Sequence, residues 1–191
     1  EKKLQNKKGR YYFDDAYGLE KGQVFISPLD LNVEKGKVEQ PLKPMIRFAM
    51  PIFDAAANKK GIVLLNYFGS HLLNRFESLS KSSSGSVLLM NRRGYYLHAE
   101  DSDKEWGFMF PGQVEADLTF AKDHPSVWSR IVKTDKGQFE DKEGLFTFST
   151  VYPLSVGMIS SNGSGNSLGY SRYELRNKEY FWKQVSFVPH Q

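Results

Sequence analysis

The sequence predicts a mixed α/β (α+β) protein made of two units in series, each an antiparallel sheet flanked by helices. Three observations carry that expectation. Pro41 to Phe76, PLKPMIRFAMPIFDAAANKKGIVLLNYFGSHLLNRF, reads as strand, polar turn, strand and amphipathic helix. Ser80 to Gly85, SKSSSG, then breaks the periodicity with serine and glycine. Beyond the break comes a second hairpin followed by helical stretches and two more strands. The division is therefore expected at residues 80 and 81, giving units 1–80 and 81–191.

Each element has a local reason. Met45 to Phe53 is a strand cut by Pro51, which cannot donate to a ladder, so this end belongs at an edge or bulge. Asp54 to Gly61 is the turn. Ile62 to Phe68 is almost wholly apolar, the pattern of a strand covered on both faces. Leu72, Leu73, Phe76 and Leu79 recur at helical spacing and predict one buried helix face. In the second unit SVLLMNRRGYYLHAED is a hairpin turning at Asn91 to Gly94. Asp123-His124-Pro125 starts a helix, with proline in the first turn, where a missing N–H costs little, and Val127, Trp128, Ile131 and Val132 on its buried face. Gly144 to Pro153 and Tyr180 to Val188 are the last strands. RFAMPIFD and FSTVYPL share a plan, a strand ending in proline before another apolar strand, which is a faint structural repeat. Ser160 to Gly169, SSNGSGNSLG, is a low-complexity loop containing a formal glycosylation acceptor at Asn162.

The stretch GQVFISPLDLNVEKGKVEQPLKPMIRFAMPIFDAAANKKGIVLLNY resembles the closing part of an extracytoplasmic Cache (PAS-like) sensor domain of bacterial transmembrane receptors. EWGFMFPG, Glu105 to Gly112, is similar to the membrane-proximal unit of the tandem Cache sensors that precede histidine kinases and diguanylate cyclases. The resemblance implies two PAS-like units, a membrane-distal one over 1–80 and a membrane-proximal one over 81–191. It implies a bacterial cell-membrane receptor whose sensing portion is periplasmic or extracellular, whose transmembrane helices lie outside this sequence, and whose partner is a second copy in a homodimer. The family carries a long N-terminal helix and further strands before the position of Glu1. The first unit is therefore expected to be incomplete and the natural chain longer.

Composition sets bounds on function. With 191 residues, 40% hydrophobic and 14% aromatic, the chain can bury a core and is not a disordered segment. A formal charge of +4 without a basic stripe argues against nucleic acid. The absence of cysteine excludes disulfides, thiol catalysis and thiolate metal sites. No apolar run reaches 18 residues, so no transmembrane helix is expected. His71, His98, His124 and His190 are scattered, and GxSxG, HExxH and P-loop patterns are missing. Glu100, Asp101, Asp103 and Glu105 lack calcium-loop order and read as a solvated turn. No metal, cofactor or catalytic residue is expected. A receptor sensor leads over a free-standing small-molecule-binding protein and over an enzyme with an unrecognised site.

The ligand candidates lie in the first unit. GRYYFDDA is similar to the R-x-W-Y sequence of amino-acid-binding Cache sensors, with Arg10 at the arginine, Tyr12 at the tryptophan and Phe13 at the tyrosine. The resemblance implies that Arg10 grips a ligand carboxylate, for which its paired N–H donors are suited, and that Tyr12 and Phe13 wall the pocket. The family's acidic partner for a ligand ammonium falls, by the resemblance, at Asn66, and an amide supplies no negative charge. The departure weighs against an α-amino acid and leaves a neutral or a purely anionic small organic ligand open, a carboxylate-bearing one being what Arg10 would suit. Phe25 and Ser27 share one face of their strand, and Arg47 and Ala49 share one face of theirs. Sequence leaves open whether these faces are the same. The competing reading makes Tyr12, Phe13 and Phe25 ordinary core and pairs Arg10 with Asp14 or Asp15.

Overall fold

The computed structural model describes residues 7–82, 84–163 and 173–190. The chain runs through α1 (Tyr11–Gly18), β1 (Val24–Ile26), β2 (Asp30–Leu31), β3 (Val33–Glu34), β4 (Lys37–Val38), β5 (Pro44–Phe53), β6 (Lys59–Phe68) and α2 (Ser70–Ser82). It continues through β7 (Ser86–Asn91), β8 (Tyr96–His98), α3 (Pro111–Glu115), α4 (Phe120–Asp123), α5 (Pro125–Ile131), β9 (Lys136–Asp141), β10 (Gly144–Val151), β11 (Met158–Ser161), β12 (Glu174–Arg176) and β13 (Trp182–Pro189). The architecture is mixed α+β, with mainly antiparallel sheets flanked by helices, as the sequence predicts.

The first sheet has the order β12-β11-β1-β5-β2, with β6 on the other edge of β5. Its β1–β11 pairing is parallel and the rest are antiparallel. The second sheet has the order β8-β7-β13-β10-β9. β11 and β12 come from the C-terminal half, so residue 80 does not separate the strands of one sheet from those of the other. The long helix α2 joins the two halves. Its Leu73 and Phe76 enter one core with Ile26, Leu29 and Ile46 from the first half and Leu89, Trp106 and Trp182 from the second. Tyr180 ties the halves again: its hydroxyl accepts the Leu29 N–H at 3.0 Å.

The faint repeat does not extend to topology. β6, the strand that follows β5, pairs with it, whereas β11, the strand that follows β10, joins the first sheet and β10 pairs with β9 and β13. β13 has a second neighbour in β7, whereas β6 pairs with β5 alone among the described residues. This corrects the expectation that Ile62 to Phe68 is covered on both faces. Val63, Leu65, Tyr67 and Phe68 are exposed, Leu65 by 67%. The faces of a strand are covered by elements packed above and below the sheet, and α1 reaches only the Ile62 end of β6. Pro51 lies beyond Ala49, the last β1 partner on that edge of β5, and a register shift follows at Ile52/Phe53. The proline thus sits where no ladder bond is forfeited.

Two helix faces also differ from expectation. Leu79 is exposed although it continues the Leu72–Phe76 stripe, because α2 leaves the shared core in its last turn. Val132 lies just past α5 and is exposed, while Val127 and Ile131 are fully buried against Phe146 and Val185. Most of the low-complexity loop, residues 164–169 with the Ser164 of the glycosylation acceptor, lies outside the described residues; its first two positions belong to β11.

β13 is held from both sides, and Gly144 is a close point in that packing. A Cβ there would lie 2.1 Å from the Val188 carbonyl oxygen, at a backbone φ of +151°. Gly144→Ala is expected to cost about 1–3 kcal/mol by overpacking, read as a lower urea midpoint. An unchanged midpoint would contradict the Gly144–Pro189 register.

Candidate functional site

α1 begins at Tyr11 and lays Tyr12 and Ala16, one helical turn apart, onto the sheet. The sheet offers them Phe25 of β1, Ala49 of β5 and Ile159 of β11. The register pairs Phe25 with Ala49 and Arg47 with Asn66. Side chains directly opposite share a face, and Ser27 N–H donates to the Arg47 carbonyl at 2.8 Å. Phe25, Ser27, Arg47 and Ala49 therefore stand on one face, the face that α1 covers.

At the N-terminal end of α1 the cover is incomplete, leaving a cavity of about 590 Å³. Arg10, Tyr11 and Tyr12 form one wall, Asp30, Leu31 and Arg47 the floor, and the β3–β4 hairpin a second wall. The hairpin turns through Lys35 and Gly36, both at positive φ, as a two-residue turn requires. Met109, Phe110 and Pro111 of the second half close the remaining side.

The floor carries a buried charge network. Arg47 and Asp30 are 4% and 6% exposed. Arg47 Nη1 donates to Asp30 Oδ1 at 2.7 Å and Nη2 to Asn32 Oδ1 at 2.8 Å. The guanidinium also lies 4.8 Å from the centre of the Tyr12 ring, a cation–π arrangement. The second Asp30 oxygen accepts the Tyr11 hydroxyl. Burial pushes the Asp30 carboxyl up, and Arg47 and Tyr11 pull it back. Burial and the adjacent Asp30 push the Tyr11 hydroxyl well up, so it stays protonated and donates. Burial works to lower the Arg47 value, but Asp30 outweighs it, and the guanidinium stays charged.

Of the residues singled out in the sequence, Arg10, Tyr12 and Arg47 meet at this cavity. Phe13 packs against the α1 core and stacks on Tyr17 at 5.8 Å. Phe25 is 1% exposed and belongs to that core. Ser27 is buried and serves the sheet, accepting the Arg47 N–H and donating to the Pro28 carbonyl, each at 2.8 Å. Asn66 is opposite Arg47 in register, yet exposed on the edge strand and away from the cavity lining. Arg10 pairs with neither Asp14 nor Asp15: its guanidinium has no ion-pair partner among the described residues, and it occupies the N-cap of α1 without a side-chain cap bond. Sequence reasoning missed Tyr11, Asp30, Asn32, the hairpin and Met109–Pro111. Asp30 carried a signal, a lone acid between Leu29 and Leu31.

Outside this cavity, residues singled out in the sequence make local structural contacts. His124 pairs with Glu143 at 2.6 Å, and Asp101 and Glu105 accept the backbone N–H groups of Asp103 and Ala99. Among the described residues no group of three potential ligands is placed to hold a metal.

Residues 1–160 match the family model of the bacterial histidine kinase sensor domain. Two solved structures share the fold over 96% of the chain. One is the extracellular domain of a protein assigned as histidine kinase vpHK1S-Z8, with 23% identity and a TM-score of 0.70. The other is a domain of a sensory box/GGDEF family protein from Vibrio parahaemolyticus, with 22% identity and a TM-score of 0.71. The chain spans 57% and 60% of the length of those two structures. The ligand-binding domain of the Pseudomonas aeruginosa amino-acid chemoreceptor PctC, in complex with GABA, matches over 97% of this chain and 66% of its own, with 14% identity and a TM-score of 0.57. No curated protein sequence matches the chain.

Proposed function

The chain belongs to the bacterial histidine kinase sensor-domain family, and from that premise we propose that the cavity beneath α1 is its ligand site, read out through β13. Sensor domains of this family are ligand-binding modules, and the chain is a sensing module rather than a catalyst. The observation that carries the site is that one cavity is walled by both halves of the chain, Arg10, Tyr12 and Arg47 on one side and Met109–Pro111 on the other. A molecule seated there touches two bodies at once, so its affinity depends on how they sit. A ligand shifts a two-state equilibrium only by its affinity difference between the states, and in our reading contacts to both halves of the chain supply that difference.

The route onward is short. Met109 N–H donates to the Trp106 carbonyl at 2.7 Å, and Trp106 N–H donates to the Tyr96 carbonyl at 2.9 Å. Tyr96 begins β8, which pairs with β7, which pairs with β13. In our reading residues 1–80 form the ligand unit, completed by β11 and β12, and residues 81–191 form the transmitting unit. The full-length receptor is a membrane homodimer with this portion outside the cytoplasm and a histidine kinase or diguanylate cyclase output within. The extracellular setting of the histidine kinase relative supports that placement. Among the described residues no helix is long and apolar enough to cross a membrane.

A thermal-shift screen of organic acids, amino acids and amines tests the site. A ligand at a hundred times its Kd adds about 2.7 kcal/mol, or roughly 5–10 °C in Tm for a chain of this size. Val33→Trp, which fills the cavity from the hairpin, is expected to abolish that shift while leaving the ligand-free Tm within about 2 °C, since Val33 is only half-buried. A ligand whose shift survives Val33→Trp binds elsewhere and refutes the assignment.

A further inference from the structure

We propose that the cavity takes a small organic anion without an ammonium group, a carboxylate on an apolar body. This deepens the preceding reading and rests on it. The amino-acid chemoreceptor relative binds GABA, a zwitterion. A zwitterion needs a negative partner for its ammonium, and among the described residues Asp30 is the only acid lining this cavity. Asp30 is already committed. One oxygen takes Arg47 and the other takes the Tyr11 hydroxyl. Seating an ammonium against it would leave the Arg47 guanidinium buried with only Asn32 beside it, and a buried charge stripped of its partner is strongly unfavourable. The cation–π position on Tyr12 is likewise filled by Arg47. On the edge strand, Asn66 is an amide and lies outside the cavity.

The positive side is open in the opposite sense. Arg10 and Lys37 both line the cavity, and neither has an ion-pair partner among the described residues. Arg10 also stands at the positive end of α1, where its own charge is disfavoured by the helix dipole. An anionic group placed there relieves that repulsion and receives the paired N–H donors of the guanidinium. Leu31, Val33, Val38, Met109, Phe110 and Pro111 give the lining an apolar part that suits a hydrocarbon body, with Gln40 as an uncharged polar neighbour.

Matched pairs that differ only in the amine test the proposal on the full chain. Calorimetric titration would compare 3-methylpentanoate with L-isoleucine, 3-phenylpropionate with L-phenylalanine, and butyrate with GABA, with butylamine as a cation probe. At least one carboxylate is expected to bind at least tenfold tighter than its amino partner, with butylamine silent. Arg10→Gln removes one charged hydrogen-bonding group and is expected to weaken that carboxylate roughly ten- to a hundredfold. Arg10 is not part of the core, so the variant should keep the wild-type Tm. Equal or tighter binding by the amino partner, binding by butylamine, silence from all three carboxylates, or indifference to Arg10→Gln would each overturn the proposal. The two failures are separable. An amine-bearing ligand lost in Val33→Trp overturns the ligand class and keeps the site, whereas a carboxylate untouched by Val33→Trp overturns the site itself.

Discussion

Asp30→Ala is expected to destabilise the fold by about 3–5 kcal/mol, the cost of leaving a buried guanidinium without its counter-charge. Arg47 is 4% exposed, and its remaining partners would be the Asn32 side-chain oxygen at 2.8 Å and the Tyr12 ring. Neither carries a charge. The Tyr11 hydroxyl would lose its acceptor as well. The measurement is a urea midpoint that falls while the slope is kept, which reports stability rather than compactness. A paired replacement separates charge from packing. Asp30→Leu with Arg47→Met removes both ions together and is expected to recover most of the loss, because a buried ion pair exchanged for apolar groups of similar volume is close to neutral. A single Asp30→Ala variant within 1 kcal/mol of wild type would show that water reaches Arg47 and that the cavity floor is not dry. The same pair fixes the floor of the proposed ligand site, so Asp30→Ala should blunt any ligand-induced rise in Tm.

Much of the fold was legible because its signals are local. The strand–turn–strand–helix run of Pro41–Phe76, the Asn91–Gly94 turn and the proline at the start of α5 each depend on residues close in sequence. What escaped was long-range. β11 crosses from the C-terminal half to pair in parallel with β1, and no local pattern encodes which of two sheets a strand of four residues joins. The exposure of β6 escaped for the same reason. Apolar composition reads as burial, yet cover over a strand's faces is a property of what packs on the sheet, and α1 reaches β6 only at Ile62. At the site, Arg10, Tyr12 and Arg47 were readable as a cationic and aromatic set. The register that places Arg47 beside Asp30, and the arrival of Met109–Pro111 from more than sixty positions away, needed the folded chain. Alternation put Phe25 and Ser27 on one face of their strand but could not say whether it was the Arg47 face; the strand register makes it so, and the packing of α1 turns them into core and sheet groups rather than cavity lining.

The Trp106 position gives the other large expected effect, and it links stability to readout. Trp106 is 2% exposed, packs in the core shared by both halves, and sits in the left-handed region at φ 62° and ψ 20°. That conformation costs a residue with a Cβ roughly 1–2 kcal/mol, and here the indole packing outweighs it. Trp106→Ala removes the packing and keeps the strain, so a loss of about 3–5 kcal/mol is expected. Trp106→Gly removes the packing and the strain together. Glycine adopts this backbone freely at the cost of extra freedom in the unfolded chain, so the glycine variant is expected to match or exceed the alanine variant in urea midpoint despite its smaller side chain. An alanine variant more stable than the glycine variant by over 1 kcal/mol would mean that residue 106 is not held left-handed. The conformation matters because it turns the chain from the Tyr96 bridge into Met109–Pro111, the wall that the second half lends to the cavity. The glycine variant loses the rigid indole at that turn. It is therefore expected to bind the cavity ligand while losing the protection of β7 and β13 amides from hydrogen exchange that binding confers on the wild type. Equal protection in both proteins would place the readout on a path that bypasses Trp106.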